Sequence, residues 1–369
     1  MIVIASCGHN CDDERVYYKQ IKTLSSNQYQ IQYYTYCYEN YLADELDNSI
    51  EYNFFSASEI SQKQYKKLLF NRLNGIPPKV LHIHDMELLS VAYELKNNHP
   101  DIKIIYDVHE DLEAMWDTFS SYSGIIKKMI NWMLTKYEKK YLSCIDYFIL
   151  ANRLARQNKY QSYGQVHILE NFLSMQHVIP LDKIDKTYKF IYHGQLSYER
   201  GLIDLIEAFN TISKTHKNIM LTIIGSCRTE EFEKEFLDIT ATNNQINCIG
   251  QIPHNEIWKY LNDAHIGVIP FQDAMLCRYN TPTKLFEYMG TNCGIVSSDL
   301  APIKEFCPDS ASWAKPGDSN SLIDAMTYYI ENIDAYNNHR NINNTLIRDI
   351  YNWEKISSNL LHIYKELLN

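Results

Sequence analysis

Long hydrophobic runs are missing from this 369-residue chain. No stretch approaches the roughly 18 consecutive apolar residues of a membrane-crossing helix, so none is expected. Cationic excess is missing too. The 35 Lys and Arg stand against 45 Asp and Glu, for a net charge of −10 with His neutral. That balance speaks against nucleic-acid binding, which needs a basic footprint. A small phosphorylated ligand needs only a local basic patch. The nine cysteines form no C-x-x-C pair and are odd in number. Reduced thiols in the cytoplasm are expected, not a disulfide framework. The start, MIVIASCGHNCDDER, has no basic leader and too short an apolar run for a secretory signal. No D-x-D triplet, short repeat or low-complexity tract occurs.

What is present is an ordinary globular balance, 45% hydrophobic and 22% charged. At ~150 residues per domain, two domains are expected. Apolar runs that read as strands fall at Met1–Ser6, Tyr29–Tyr36, Ile50–Phe55, Val80–His84, Ile102–Val108, Tyr147–Ala151 and Val166–Leu169. Helical stretches separate most of them, among them one from Asp12 or Asp13 to about Ser26. After a weakly patterned linker, Phe172 to Thr187, a second series follows at Phe190–His193, Met220–Gly225, Asn247–Ile249, Ile266–Pro270 and Gly294–Ser297. Strands alternating with helices predict an α/β protein of two doubly wound, mostly parallel sheets. The domains are placed at 1–175 and 186–350, with a final helical segment, 351–369.

The most informative stretch is Arg278 to Gly290, RYNTPTKLFEYMG, between two apolar runs. Thr281 fits a helix N-cap and Pro282 the first helical position, where its missing N–H costs nothing. Unsatisfied N–H groups there would face the crevice at the carboxyl end of a strand, where open α/β sheets bind anions. Arg278 and Lys284 add cations. Glu287, three residues after Lys284, shares its helix face. An anion site with a carboxylate one turn deeper suits a nucleoside diphosphate and its ribose. Another strand–turn–helix, YHGQLSYERG from Tyr192 to Gly201, joins a permissive glycine, Gly194, to a cation, Arg200.

Taken in order, YHGQLSYERG, LTIIG, IGQIPHNEI, IGVIPF, TPTKLFEYMG and IVSSDLAPIKE resemble the carboxyl-terminal domain of the retaining GT-B glycosyltransferases of family 4. The amino-terminal half is similar as well: Ser6 to Arg15 looks like the family's “S…h…D-x-R” start. Leu81 to Asp85 and Tyr106 to Glu110 look like its “vvHahD” and “yD-x-HE” strands. Leu169-Glu170-Asn171 and Tyr351-Asn352-Trp353-Glu354 resemble the end of its first domain and the start of its last helix. The resemblance covers nearly the whole chain.

It implies two Rossmann-like domains facing each other across a cleft, with the C-terminal helix crossing back to the first. It implies transfer of a sugar, with retained configuration, from a nucleotide-sugar to a hydroxyl of a glycan or lipid-linked acceptor. A UDP-sugar and bacterial surface (capsular) polysaccharide synthesis are the expected donor and context. Arg200 and Lys284 would stabilise the departing diphosphate, assisted by the backbone around Thr281 and Thr283. Glu287 would bind the ribose, and the turn of Gln251, Ile252 and Pro253 would cradle the base. Gly8, Gly194 and Gln195 would line the donor site. His109 would bond the transferred sugar or the attacking group, and Asp13 and Arg15 would meet the acceptor. No metal or other cofactor is implied. Two positions depart from the family pattern. Many members carry a second glutamate with seven residues between it and the first, and here Tyr279 stands there. Many carry Arg straight after the glycine, where this chain has Gln195.

Plainer readings exist for some of these residues. His109 fits a structural strand-end histidine, and Asp13 fits a helix N-cap. His82 and His84 alternate on one strand, so with Asp85, Asp107 and His109 they also fit the metal site of a hydrolase. Cys7, His9 and Cys11 have ligand-like types too. A non-catalytic GT-B subunit that binds a nucleotide or a partner is the other alternative. Finally, Ile125 to Leu142 carries apolar residues at helical spacing flanked by lysines 127, 128, 136, 139 and 140. That pattern fits either a helix packed on the sheet or a peripheral helix on an anionic membrane surface, on the inner face of the membrane.

Overall fold

A computed structural model describes residues 1–38, 47, 49–109, 112–120, 122–153, 157–179 and 187–368. Glu110 and residues 180–186 of the expected linker lie outside this set. The chain divides into two compact units, Met1–Asn171 with Trp353–Asn369, and Phe172–Asn352.

The first unit holds β1 (Ile2–Cys7), β2 (Ile31–Cys37), β3 (Ile50–Ser56), β4 (Val80–Ile83), β5 (Lys103–Val108), β6 (Tyr147–Leu150) and β7 (Gln165–Ile168). All pair in parallel, in the order β3-β2-β1-β4-β5-β6-β7. Each strand lies on an apolar run because both faces of the sheet are covered. Along β1, Val3, Ala5 and Cys7 enter one core cluster, and Ile2 and Ile4 enter the other. This is the period-two alternation of a strand.

Helix α1 runs through Glu14–Ile21 and Lys22–Ser26, capped by Asp13, which accepts from the N–H groups of Arg15 and Val16. Its first two turns are wound wider than an α-helix, a feature that often marks functional sites. Then come α2 (Gln62–Gly75), α3 (Leu89–Asn98), α4 (Leu112–Phe119), α5 (Gly124–Leu142) and α6 (Gln157–Gln161).

The second unit holds β8 (Tyr188–His193), β9 (Ile219–Ile224), β10 (Ile246–Ile249), β11 (Ile266–Ile269), β12 (Gly294–Ser298) and β13 (Ser312–Ala314). They too are parallel, in the order β10-β9-β8-β11-β12-β13. The helices are α7 (Leu202–Thr215), α8 (Glu230–Thr240), α9 (Ile257–Asp263), α10 (Met275–Tyr279), α11 (Lys284–Gly290), α12 (Ala301–Lys304), α13 (Ser319–Glu331) and α14 (Ile333–Asp349). The last helix, α15 (Trp353–Leu368), belongs to the first unit. Its Trp353, Leu360, Ile363 and Tyr364 are buried in the cluster that holds Ile2, Ile4 and Tyr33.

In each sheet the strand order reverses once, between β1 and β4 and between β8 and β11. The carboxyl ends of strands at such a switch point form the usual ligand crevice. Both clusters described next lie there.

Two polar clusters at the switch points

In the second unit, β8 runs out at His193 into the turn of Gly194. That glycine has φ +108°, and a Cβ there would stand 3.2 Å from Nζ of Lys284. Both facts favour glycine. The Tyr192 hydroxyl donates to the Gln195 carbonyl at 2.8 Å and so holds the turn against β8. At Gly201, φ is +68° and a Cβ would overlap the Pro270 carbonyl oxygen, 1.7 Å away. The start of α7 is therefore pressed onto the end of β11, and the preceding Arg200 is carried to Phe271. Its guanidinium lies 4.5 Å from the ring centroid. Lys284 reaches the same ring at 5.2 Å and the Tyr192 ring at 3.9 Å. Among the described residues, neither cation forms an ion pair with a carboxylate. Burial and the nearby Arg200 push the Lys284 pKa well below its ordinary value, against the pull of Glu287. A buried amine held beside a second cation is a site that an anion completes.

Glu287, one turn along α11 and buried, is held between two histidines. Its Oε2 is 2.9 Å from Nε2 of His193, and its Oε1 is 3.7 Å from Nε2 of His254. His254 stacks on Trp258 at 5.6 Å, and His177 stacks on the same indole at 3.8 Å. Ile252 and Pro253 lead into this arrangement, since His254 follows them directly. A third cation enters from the loop after β9. Arg228 donates to the Gln195 side chain at 3.1 Å, and its own N–H is fixed to the Leu196 carbonyl at 2.9 Å.

Two expectations for this stretch are corrected. Arg278 is not part of the cation pair. It is exposed on α10 and forms a two-pronged ion pair with Asp273 at 2.5 and 2.8 Å. Thr281 is not the N-cap either. α11 begins at Lys284 behind Thr283, and the Thr281 hydroxyl donates to the Pro302 carbonyl at 3.2 Å. The Pro282 carbonyl does accept from the Leu285 N–H at 3.1 Å, so a tight turn precedes the helix.

In the first unit, Gly8 and His9 leave β1 beside Asp85 at the end of β4. Asp85 accepts from the Cys7 N–H at 2.6 Å and pairs with His9 at 3.3 Å. Asp13 pairs with the other nitrogen of His9 at 3.2 Å. Burial alone would lower the His9 pKa, but the bonds to Asp13 and Asp85 push it up to about 11. The two carboxylates thus favour the imidazolium form of His9. Its ring centroid lies 4.6 Å from that of His109. Burial, opposed by Asp107 and reinforced by His9 and Arg15, takes His109 down to about 4, so it is neutral. His109 Nε2 shares a hydrogen bond with His84 Nδ1 at 3.0 Å.

Arg15 does not open onto an acceptor. It is buried, with Nη2 3.0 and 3.1 Å from the two oxygens of Asp107 and Nη1 donating to the Leu169 carbonyl at 2.7 Å. Burial would raise the Asp107 pKa, but Arg15 foremost holds it below its ordinary value. Asp13 is a helix cap and a His9 partner.

His82, His84 and Asp107, all buried, lie close enough together to resemble a metal-ligand set in type. Asp107 and the Nδ1 atom of each histidine are engaged, while Nε2 of His82 and Nε2 of His84 have no hydrogen-bond partner among the described residues. Gln20 donates to Asp107 at 2.6 Å, beside the Arg15 fork. His82 Nδ1 bonds the Tyr364 hydroxyl at 2.8 Å, and His84 Nδ1 bonds His109. A dication there would stand against the Arg15 guanidinium already paired with Asp107, which disfavours a metal at this place.

Sequence reasoning missed His193, His254 and Arg228, and read His9 and Asp85 only as possible metal ligands. The three that were missed act across gaps in sequence that no local motif spans. The pairing of Arg228 with Gln195, for example, bridges 33 positions.

With this geometry in hand, similarity to known proteins is informative. Residues 178–345 match the model of the family described as Glycosyl transferases group 1. Lipopolysaccharide 1,2-N-acetylglucosaminetransferase of Salmonella typhimurium is 24% identical over 180 residues, which is 45% of this chain and 45% of that enzyme. Sucrose-phosphate synthase from Thermosynechococcus elongatus superposes with a TM-score of 0.79 at 14% identity, covering 100% of this chain and 99% of that one. Anabaena HepE in complex with UDP does so with a TM-score of 0.71 at 11% identity, covering 99% of each. The fold is that of the GT-B glycosyltransferases, with two Rossmann-like domains.

Proposed function

We propose that this chain is a retaining glycosyltransferase of the family 4 type that moves a hexose from a UDP-sugar to a hydroxyl of a glycan or lipid-linked acceptor. The observation that carries the reading is the pair Arg200 and Lys284, two cations without a carboxylate partner among the described residues, beside the Gly194 turn and one helical turn from Glu287. A diphosphate fits the cations, and its ribose hydroxyls fit the carboxylate. The family match over residues 178–345 and the UDP bound in HepE support the same assignment.

In this reaction the bond from the sugar's anomeric carbon to the diphosphate oxygen breaks. The acceptor oxygen forms the new bond on the same face, and its proton goes to the departing phosphate oxygen. The chain then has charge to stabilise and groups to position. Arg200 and Lys284 stabilise the negative charge that grows on the leaving diphosphate, so the reading needs no divalent ion. Glu287, held by His193 and His254, orients the ribose. The neutral His109, tied to His84 through Nε2, keeps Nδ1 for a sugar hydroxyl. Arg15 and Asp107 position the histidines and do not touch substrate. The nine cysteines are unpaired thiols, which supports a reducing, cytoplasmic setting. Surface polysaccharide synthesis is the proposed context.

The test is UDP release from a panel of UDP-sugars, with binding of UDP itself measured in parallel. Turnover with one sugar supports the enzyme. UDP binding with no turnover, even with acceptor extracts present, would favour a non-catalytic subunit, a reading motivated by Tyr279 and Gln195. No binding at all would overturn both.

A further inference from the structure

We propose that α5 docks this protein on an anionic lipid surface, with its Gly124 end sunk among the acyl chains and its Lys140 end among the headgroups. The proposal rests on the first unit alone and does not depend on the reaction assigned above.

Three observations carry it. First, α5 leaves a contiguous apolar face uncovered. Ile125 is 85% exposed, Ile126 51%, Met129 53%, Trp132 57% and Met133 55%. At 100° per residue these five fall within one arc of the helix. Side chains of this size, clustered and bare, mark an interaction surface.

Second, the exposed arc changes character along the axis. Its first half is apolar except for Lys128. Its second half presents Lys136, Lys139 and Lys140 beside Tyr137. Lys136 lies 4.1 Å from the Trp132 ring centroid, so the two halves meet at a cation resting on an indole. Tryptophan prefers the boundary between acyl chains and headgroups. A 19-residue helix is about 28 Å long, enough for one end to sit deeper than the other.

Third, the charge that opposes lysine is turned inward. Glu138, the acid of this helix, is buried and paired with Lys159 at 2.5 Å. Lys127 is used by Asp117 on α4 at 3.2 Å. The four exposed lysines therefore stand as a basic patch on a chain whose net charge is −10. Apolar residues next to lysines that form no ion pair among the described residues complement a surface that is oily below and negative above, which is an anionic bilayer. No helix among the described residues is long and apolar enough to cross a membrane, so attachment would be peripheral.

The experiment is co-sedimentation of the full chain with vesicles of phosphatidylcholine alone or mixed with phosphatidylglycerol. The wild type should bind the mixed vesicles and not the neutral ones, and salt should weaken the binding. Each lysine near such a surface contributes roughly fivefold. The variant Lys128→Gln/Lys136→Gln/Lys139→Gln/Lys140→Gln should therefore lose at least tenfold in affinity. The variant Met129→Ser/Trp132→Ser/Met133→Ser, with every lysine kept, should lose binding as well. Both should keep the wild-type UDP affinity and melting temperature, which separates this proposal from the reading of the second unit. Equal binding to both vesicle types, no binding to either, or unchanged binding by either variant would overturn it. A wild-type dimer in solution that the Trp132→Ser variant dissolves, with no vesicle effect, would assign the face to self-association instead.

Discussion

Arg200, just before α7, and Lys284, at the start of α11, reach the same aromatic ring, 4.5 and 5.2 Å from the Phe271 centroid. Phe271 itself is buried, and Lys284 also reaches the Gly194 turn. The arrangement stores like charge in a partly dry place. An anionic ligand relieves that charge, and the first consequence is a proton.

Lys284 has its pKa lowered well below the ordinary 10.5 by burial and by Arg200. The negative charge of a bound diphosphate outweighs both influences and raises it. Between the lowered pKa and the bound one, UDP binding should take up a proton, and affinity should fall as pH rises through that window. Calorimetry in buffers of different ionisation enthalpy measures the uptake. Lys284→Met should abolish it, while uptake that persists in that variant would move the proton elsewhere.

Glu287 predicts a selective loss. Hydrogen bonds to a charged group contribute about 1.5–3 kcal/mol, so Glu287→Ala should weaken UDP binding by about tenfold or more. For UDP lacking both ribose hydroxyls, wild type and variant should bind alike. A variant that lost the same affinity for both ligands would place Glu287 away from the ribose.

On the proposed reading, Arg228, which donates to the Gln195 side chain, would take the place of the arginine that many GT-B members of family 4 carry directly after the glycine. Arg228→Ala should weaken UDP binding roughly tenfold, with a shallower dependence on salt. Gln195→Ala, which removes the acceptor that holds Arg228 at 3.1 Å, should weaken it less. The double variant should lose no more than Arg228→Ala alone, because the two act as a unit. Full additivity would show that they act independently.

Arg15 belongs to stability. Removing it leaves Asp107 buried without its fork partner, which costs about 3–5 kcal/mol. Arg15→Ala should lower the urea midpoint sharply, and the acceptor KM of whatever folds should stay near wild type. A variant of normal stability with a raised acceptor KM would restore the acceptor role.

How much of this was legible beforehand follows from physical range. Twelve strands stood out as short β-type runs, the inner ones because both faces are buried, as β1 with its alternating core partners shows. The thirteenth, β13, spans only Ser312–Ala314 and has no such run. α14 hid because its buried face is polar, with Arg340, Asn343 and Asn344 inside. Lys284 and Glu287 were singled out by local turn chemistry and spacing, and Arg200 by the resemblance together with its glycine turn. Their neighbours were not. A propensity rule placed the cap at Thr281, yet the hydroxyl found the Pro302 carbonyl, 21 positions away. Local charge placed Arg278 in the site, yet Asp273, five positions before it, took it first. Arg15 shares a motif with Asp13, but only the fold shows that its partner is Asp107, 92 positions on.

The most direct test of the account is a UDP titration of Arg200→Ala/Lys284→Ala against wild type. If these cations hold the diphosphate, the wild type binds UDP and the double variant loses at least about a hundredfold, with its melting temperature in the absence of ligand no lower than the wild type's. Undiminished UDP affinity in a folded double variant would contradict the assignment of this crevice to the donor.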